Sequence, residues 1–260
     1  MVTQTTMVFT AGGMVAMLLW LTALVLYARE ALCPKVTPAQ FISTEILSRA
    51  GMLLAAAGWG AYAMTTWPQP SWRLILLPPL ALIALLVKMG LARRGGVLLL
   101  VLCLYGYAVT AYGTALATLW VGNTEPAPDL TIASLLAATR DAVAGAASGT
   151  CIAYGAFLLI TRRCRPEEHP DPLLAERLGE GMVRVALIAA TLALGTAAWR
   201  TWSMWGEVAR IDVTTLFITW SFLMAASLRQ MTTGMVLTRT VNTLVLLSLA
   251  SLIIMVIAVP

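Results

Sequence analysis

Apolar runs of about 20 residues recur along the whole of this 260-residue chain, separated by short charged or turn-like strips. A run of that length is what an α-helix needs to cross the hydrocarbon core of a bilayer, where every backbone N–H and C=O must be satisfied within the segment itself. The pattern predicts a polytopic transmembrane helical bundle, an all-α fold forming a single integral membrane domain over residues 1–260. Eight spans are expected, at residues 9–28, 46–66, 73–91, 97–120, 142–160, 181–199, 213–228 and 241–259. The third contains Pro78 and Pro79, which lack backbone donors and should kink it, and Lys88, which can snorkel to the nearby interface.

Composition removes the main alternatives. Hydrophobic residues make up 60% of the chain and charged ones 11%, against roughly 45–50% and about 25% in a soluble domain, which excludes a soluble enzyme and a disordered chain. The net charge of +5 comes from scattered loop arginines, not from one basic face, so no nucleic-acid partner is expected. Cys33, Cys103, Cys151 and Cys164 contain no C-x-x-C pair, which leaves a zinc site or a dithiol relay without its spacing. No Lys or Arg precedes Arg29, so the first apolar run lacks the basic start of a signal peptide and is expected to be a retained helix.

Basic residues set the expected orientation, because cytoplasmic loops retain positive charge. Thirteen of the 17 Lys and Arg residues fall at odd-numbered loops: Arg29, Lys35, Arg49, Lys88, Arg93, Arg94, Arg162, Arg163, Arg165, Arg177, Arg184, Arg229 and Arg239. Only Arg73, Arg140, Arg200 and Arg210 fall at even-numbered ones. The odd loops are then cytoplasmic, both termini lie on the outer face, and a plasma (inner) membrane fits this arrangement. An inner loop at 161–180 carries mixed charges. An outer loop at 121–141 has a stretch, 130–139, able to form a short interfacial helix. A second outer loop, 199–212, is rich in tryptophan.

That last loop is the unusual stretch. Trp199, Trp202 and Trp205 recur every three residues, followed by Gly206, Arg210 and Asp212. An aromatic belt at the headgroup level explains them most simply; an aromatic platform for a flat apolar ligand such as haem or a quinone, with Arg210 for its polar groups, is the sharper reading. The ionisable residues Glu45, Arg49, Lys88, Arg140, Asp141, Arg184 and Arg229 all fall near span ends, where snorkelling and charge anchoring account for them. Asn242 is a further polar group in a span. Gly145 and Gly149 form a small-residue face for close helix packing. The thirteen methionines are read as packing material. Broken helices with charges paired at the midplane, as a transporter would show, are not seen.

At 199–212 the chain resembles the cytochrome c assembly family of the CcsA/ResC kind, whose outer motif reads approximately W-G-x-x-W-x-W-D. Trp205, Gly206 and Asp212 match its first, second and last positions, while Ala209 and Ile211 replace the inner tryptophans. Residues 174–195 resemble the family segment leading into the motif, residues 216–220 the segment after it, residues 153–157 its fifth helix, and residues 49–51 with 57–62 its second. The resemblance implies haem handling or presentation at the outer face, with an apocytochrome c or other membrane subunits as partners. Family members hold haem through histidines. This chain has one, His169, in an inner loop. Tyr62 stands where the second-helix histidine would fall, Leu228 and Arg229 near the seventh-helix one, and Ala146 near the one before the fifth. Histidine ligation from both sides of a haem is therefore impossible within this chain. Tyr62 is a conceivable axial ligand, though a buried tyrosine bonded to a neighbouring helix is the simpler expectation. Two readings follow: a CcsA-like protein of cytochrome c biogenesis, with haem at most a transient ligand, or a haem-free scaffold subunit of a membrane respiratory or assembly complex.

Overall fold

The computed structural model describes residues 2–32, 38–66, 72–92, 98–121, 132–163, 172–206, 210–235 and 238–258. These form eight helices and no strand: α1 (Val2–Leu32), α2 (Pro38–Thr66), α3 (Trp72–Ala92), α4 (Leu98–Val121), α5 (Ile132–Arg163), α6 (Pro172–Trp205), α7 (Ile211–Thr233) and α8 (Arg239–Ala258). Each matches one expected span, residues 97 and 259 of the fourth and eighth lying outside the described residues, and α5 and α6 run well beyond theirs. Residues 132–139 are the opening turns of α5, not a separate interfacial helix, and the expected inner loop is shortened by the start of α6 at Pro172. Six of the helices are long and apolar enough to cross a membrane, and Arg239–Met255 is a shorter apolar helix. Large apolar side chains such as Leu18, Leu53, Leu86, Ile188, Leu192 and Ile254 lie exposed on the exterior, a surface that suits lipid and not water. The chain is a multi-pass helical membrane protein.

Successive helices run antiparallel, and the α1–α2 pair shows why they meet where they do. Phe9, Gly13, Ala16, Trp20 and Ala23 on α1, and Thr44, Ser48, Gly51, Ala55, Gly58 and Tyr62 on α2, are buried at alternating spacings of four and three. That is the seam of a left-handed helix pair. Its small residues admit large partners: a β-carbon on Gly51 would lie 2.5 Å from Trp20 Nε1, and one on Gly58 would meet the Phe9 backbone at 3.4 Å. The same device joins the first four helices to the last four. Gly106 of α4 and Gly149 of α5 are in backbone contact, so any side chain at either would collide with the other helix. Thr110 Oγ1 donates across that contact to the Gly145 carbonyl at 2.8 Å, as the small-residue face predicts.

The remaining inter-helix hydrogen bonds satisfy polar groups that lipid would leave stranded. Tyr112 Oη donates to the Ala55 carbonyl (3.0 Å), Tyr154 Oη to Asn242 Oδ1 (2.7 Å), and the Thr219 and Ser251 hydroxyls pair at 2.7 Å. Helix α3 passes through Pro78 and Pro79 without ending. Pro78 has no N–H for the carbonyl one turn back, Leu74, and Trp59 Nε1 of α2 donates to that carbonyl at 2.9 Å instead. Cys103 and Cys151 are buried free thiols.

Candidate functional site

The segment expected to be a tryptophan-rich loop is mostly helix. Trp199 and Trp202 belong to the last turns of α6, which continues to Trp205. Gly206 then stops the helix: its φ of 68° is the left-handed conformation that a side chain disfavours, and its N–H closes onto the Trp202 carbonyl at 3.0 Å. After residues 207–209, which lie outside the described set, the exposed Arg210 caps α7 in extended conformation, and its carbonyl accepts from Thr214 N at 2.8 Å. Trp199 and Trp202 are 66% and 63% exposed, facing outward from the bundle. They share one face of α6, as a belt or a platform would require. The Trp205 side chain lies outside the described set.

Asp212 is different. It sits in the first turn of α7, where the helix dipole favours a carboxylate, and is 6% exposed. Its Oδ1 accepts from Val213 N at 3.0 Å and its Oδ2 from Arg140 Nη1 at 2.8 Å. Arg140 also donates through Nε to Asp141 Oδ1 at 2.7 Å, and the other oxygen of Asp141 accepts from Arg73 Nε at 2.7 Å. A chain of alternating charge, Arg73–Asp141–Arg140–Asp212, thus ties α3, α5 and α7 together at the end of the bundle where all three begin. Arg200 of α6 lies within electrostatic reach of it. Arg73, Arg140 and Asp141 line a cavity of about 20 Å³ together with Thr114 and Ser148, room for about one water molecule.

These residues correct the expectation that the ionisable groups near span ends snorkel outward. Arg140 and Asp141 are buried because α5 starts at Ile132, which places them more than two turns inside the helix. Lys88 is 1% exposed. Its Nζ bonds Glu45 Oε2 at 3.1 Å and lies 4.6 Å from the Tyr105 ring centroid and 5.8 Å from that of Tyr27. The stem turns inward among α1, α2 and α4 and not toward the interface, so the charge is met by a carboxylate and two ring faces instead. The charges are therefore paired across helices, an arrangement that run length and loop charge do not reveal. Arg49, Arg184 and Arg229 do stay at the periphery, the first two pairing with Glu45 and Glu180 of their own helices.

Tyr62 is buried and stacks on Phe9, ring centroids 5.1 Å apart, and Phe9 in turn lies 5.6 Å from Tyr112. It belongs to the α1–α2–α4 seam, on helices separate from those of the motif. The residues expected to contact haem consequently do not converge on one space: the two described tryptophans face outward, Arg210 caps a helix, Asp212 is ion-paired and Tyr62 packs in a seam. As placed they do not fit a haem held by this chain alone. No group of three or more His, Cys, Asp or Glu able to hold a metal occurs among the described residues, and His169 lies outside them. An apolar groove of about 550 Å³ between α1 and α4, lined by Met14, Met17, Leu18, Leu21, Leu116 and Trp120, offers almost no polar group to orient a ligand. Comparison with protein-family models, curated proteins and solved structures finds no match for this chain.

Proposed function

We propose that this chain is a divergent CcsA/ResC-like membrane protein of cytochrome c biogenesis, crossing the plasma membrane eight times with both termini outside. In this reading the α6–α7 corner presents tryptophans at the outer face to an apocytochrome c or an assembly partner, and any haem is handed on without histidine ligands from this chain. One observation carries the reading. The motif residue Asp212 is held by Arg140 at the start of α7, six residues after Gly206 ends the tryptophan-bearing turn of α6, so the partial motif forms one braced corner. That corner lies at the end of the bundle with the fewest basic residues, which supports its outer placement.

Cysteine-accessibility mapping at residues 200–212 should label these positions from the outer side; labelling from the cytoplasmic side would overturn the topology. A deletion strain should lose covalently attached haem on its c-type cytochromes, read by peroxidase staining of membranes, and normal staining would reject the role. A second reading is favoured by the use of Asp212 and Tyr62 in ion pairing and packing, which leaves no assembled haem contact. Here the chain is a haem-free scaffold subunit. Purification in mild detergent would then recover stoichiometric membrane partners and no pyridine haemochrome signal.

A further inference from the structure

We propose that α1, α2, α3 and α4 enclose a one-sided internal water column, entered beside the Lys88–Glu45 pair and closed near mid-bundle by packed aromatic rings.

Four buried side-chain polar atoms on these helices make no hydrogen bond: Trp20 Nε1, Glu30 Oε2, Ser48 Oγ and Tyr105 Oη. They are not scattered. Glu30 Oε1 accepts from Thr44 Oγ1 at 2.5 Å, and Thr44 is one turn from Ser48 on the α2 seam. Trp20 Nε1 abuts Gly51, the next seam position beyond Ser48. Tyr105 joins them from α4, its ring 6.1 Å from that of Tyr27 and beneath Lys88 Nζ. Trp20, Ser48 and Tyr105 are each completely buried. From Glu30 to Trp20 is ten residues of α1, about 15 Å at the helical rise, or half of a hydrocarbon core of about 30 Å.

A single buried polar atom without a partner is costly, and four along one path call for a ligand that both donates and accepts. Water meets that requirement: Trp20 Nε1 can only donate, Glu30 Oε2 accepts, and the two hydroxyls do either. The charged groups around the entrance are Glu30, Glu45, Arg49 and Lys88, with Tyr27 and Tyr105 as the neighbouring phenols. Beyond Trp20 the path ends. Trp20 packs edge-on against Tyr112 (5.6 Å), Tyr112 against Phe9 and Phe9 against Tyr62, and the Tyr112 hydroxyl is already bonded to Ala55. Water, and protons carried on it, can therefore reach mid-bundle from one side only.

Radiolytic hydroxyl labelling of the full-length protein in detergent, read by mass spectrometry, tests this directly. Trp20 and Tyr105 should be labelled despite their burial, whereas Phe9, Tyr154 and Phe157 should not; unlabelled Trp20 and Tyr105 would overturn the proposal. The conservative variants Tyr105→Phe and Ser48→Ala give an independent reading. If water bonds these hydroxyls, each variant lowers Tm by roughly 2–4 °C and weakens labelling at Trp20. A dry seam would instead gain stability when an unbonded hydroxyl is removed, and a raised Tm in either variant would sink the column. Stability that depends on sodium or potassium concentration, with Trp20 unlabelled, would overturn water in favour of a bound cation.

Discussion

Both ends of the bundle bury an ionic cluster, and the two are built on different principles. Where α3, α5 and α7 begin, two guanidiniums and two carboxylates alternate in a linear chain with contacts of 2.7–2.8 Å. At the opposite end a single ammonium meets one carboxylate at 3.1 Å and two tyrosine faces, with unbonded polar atoms nearby. The planar guanidinium offers several donors in fixed directions and can serve two carboxylates at once. Lysine offers a point charge that leaves neighbouring groups to find other partners. The first cluster is thus a brace of four groups bonded in series, and the second is an ion pair beside which other buried polar atoms stand unbonded. Such a contrast within one molecule separates a structural use of buried charge from a use that needs solvent.

The sharpest way to break the contrast is to remove the shared cation of the brace. Arg140→Met leaves the buried Asp212 without its hydrogen-bonded cation, with only Arg200 in electrostatic reach, and Asp141 with Arg73 as its one hydrogen-bonded cation. Loss of one partner from a buried pair costs about 3–5 kcal/mol, so unfolding in detergent should shift to much lower temperature or denaturant. Wild-type stability in this variant would show that the alternating chain braces nothing. Asp212→Asn is the milder form, since the amide oxygen still accepts from Arg140 while the charge is gone. A loss of about 1.5–3 kcal/mol is expected, the range for a hydrogen bond to a charged group. A loss as large as that of Arg140→Met would assign the whole brace to the α7 contact.

The entrance should respond less. Glu45 is 26% exposed and also lies 3.5 Å from Arg49, so Lys88→Met leaves a carboxylate that can turn to other partners. A cost of about 1–2 kcal/mol is expected, with a double-mutant cycle against Glu45→Gln giving a coupling of about 1 kcal/mol. Coupling equal to that of the Arg140–Asp212 pair, measured the same way, would erase the distinction between the two ends.

How far the sequence exposes this arrangement depends on the range of the physics involved. Helices and their order follow from apolar run length, because the bilayer imposes that length on any span. Gly145 and Gly149 announce close packing by spacing alone, since small residues four apart share one helix face. The charges were harder. Arg140 and Asp141 sit at the edge of an apolar run and read as interfacial anchors until α5 is seen to begin eight residues earlier, at Ile132. Their pairing with Arg73 and Asp212 depends on which helices are neighbours, and no local spacing encodes that. The available signal was compositional: residues of both signs, Arg73, Arg140, Asp141 and Asp212, lie at the same expected membrane level on three different spans. For Lys88, the aromatic neighbours Tyr27 and Tyr105 come from spans one and four, and only their contact reveals that the lysine points inward. The tryptophans are legible in position but not in form, because Gly206 marks where α6 stops and Trp199 to Trp205 lie before that stop.

The smallest expected effect provides the control for all the others. Arg49 is 54% exposed and pairs with Glu45 one turn earlier on the same helix. Such i,i+4 pairs are worth about 0.3–0.5 kcal/mol, because solvent screens the charges and two long side chains lose freedom in meeting. Arg49→Ala should therefore change stability by no more than that, and 0.5 M salt should remove most of the difference. The variant also frees Glu45 for Lys88 alone. If the entrance pair is limited by competition from Arg49, its coupling energy measured in the Arg49→Ala background should rise; an unchanged coupling would show that Lys88 already commands the carboxylate. A destabilisation by Arg49→Ala as large as that by Lys88→Met would place the surface arginine inside the cluster and redraw the boundary between entrance and exterior.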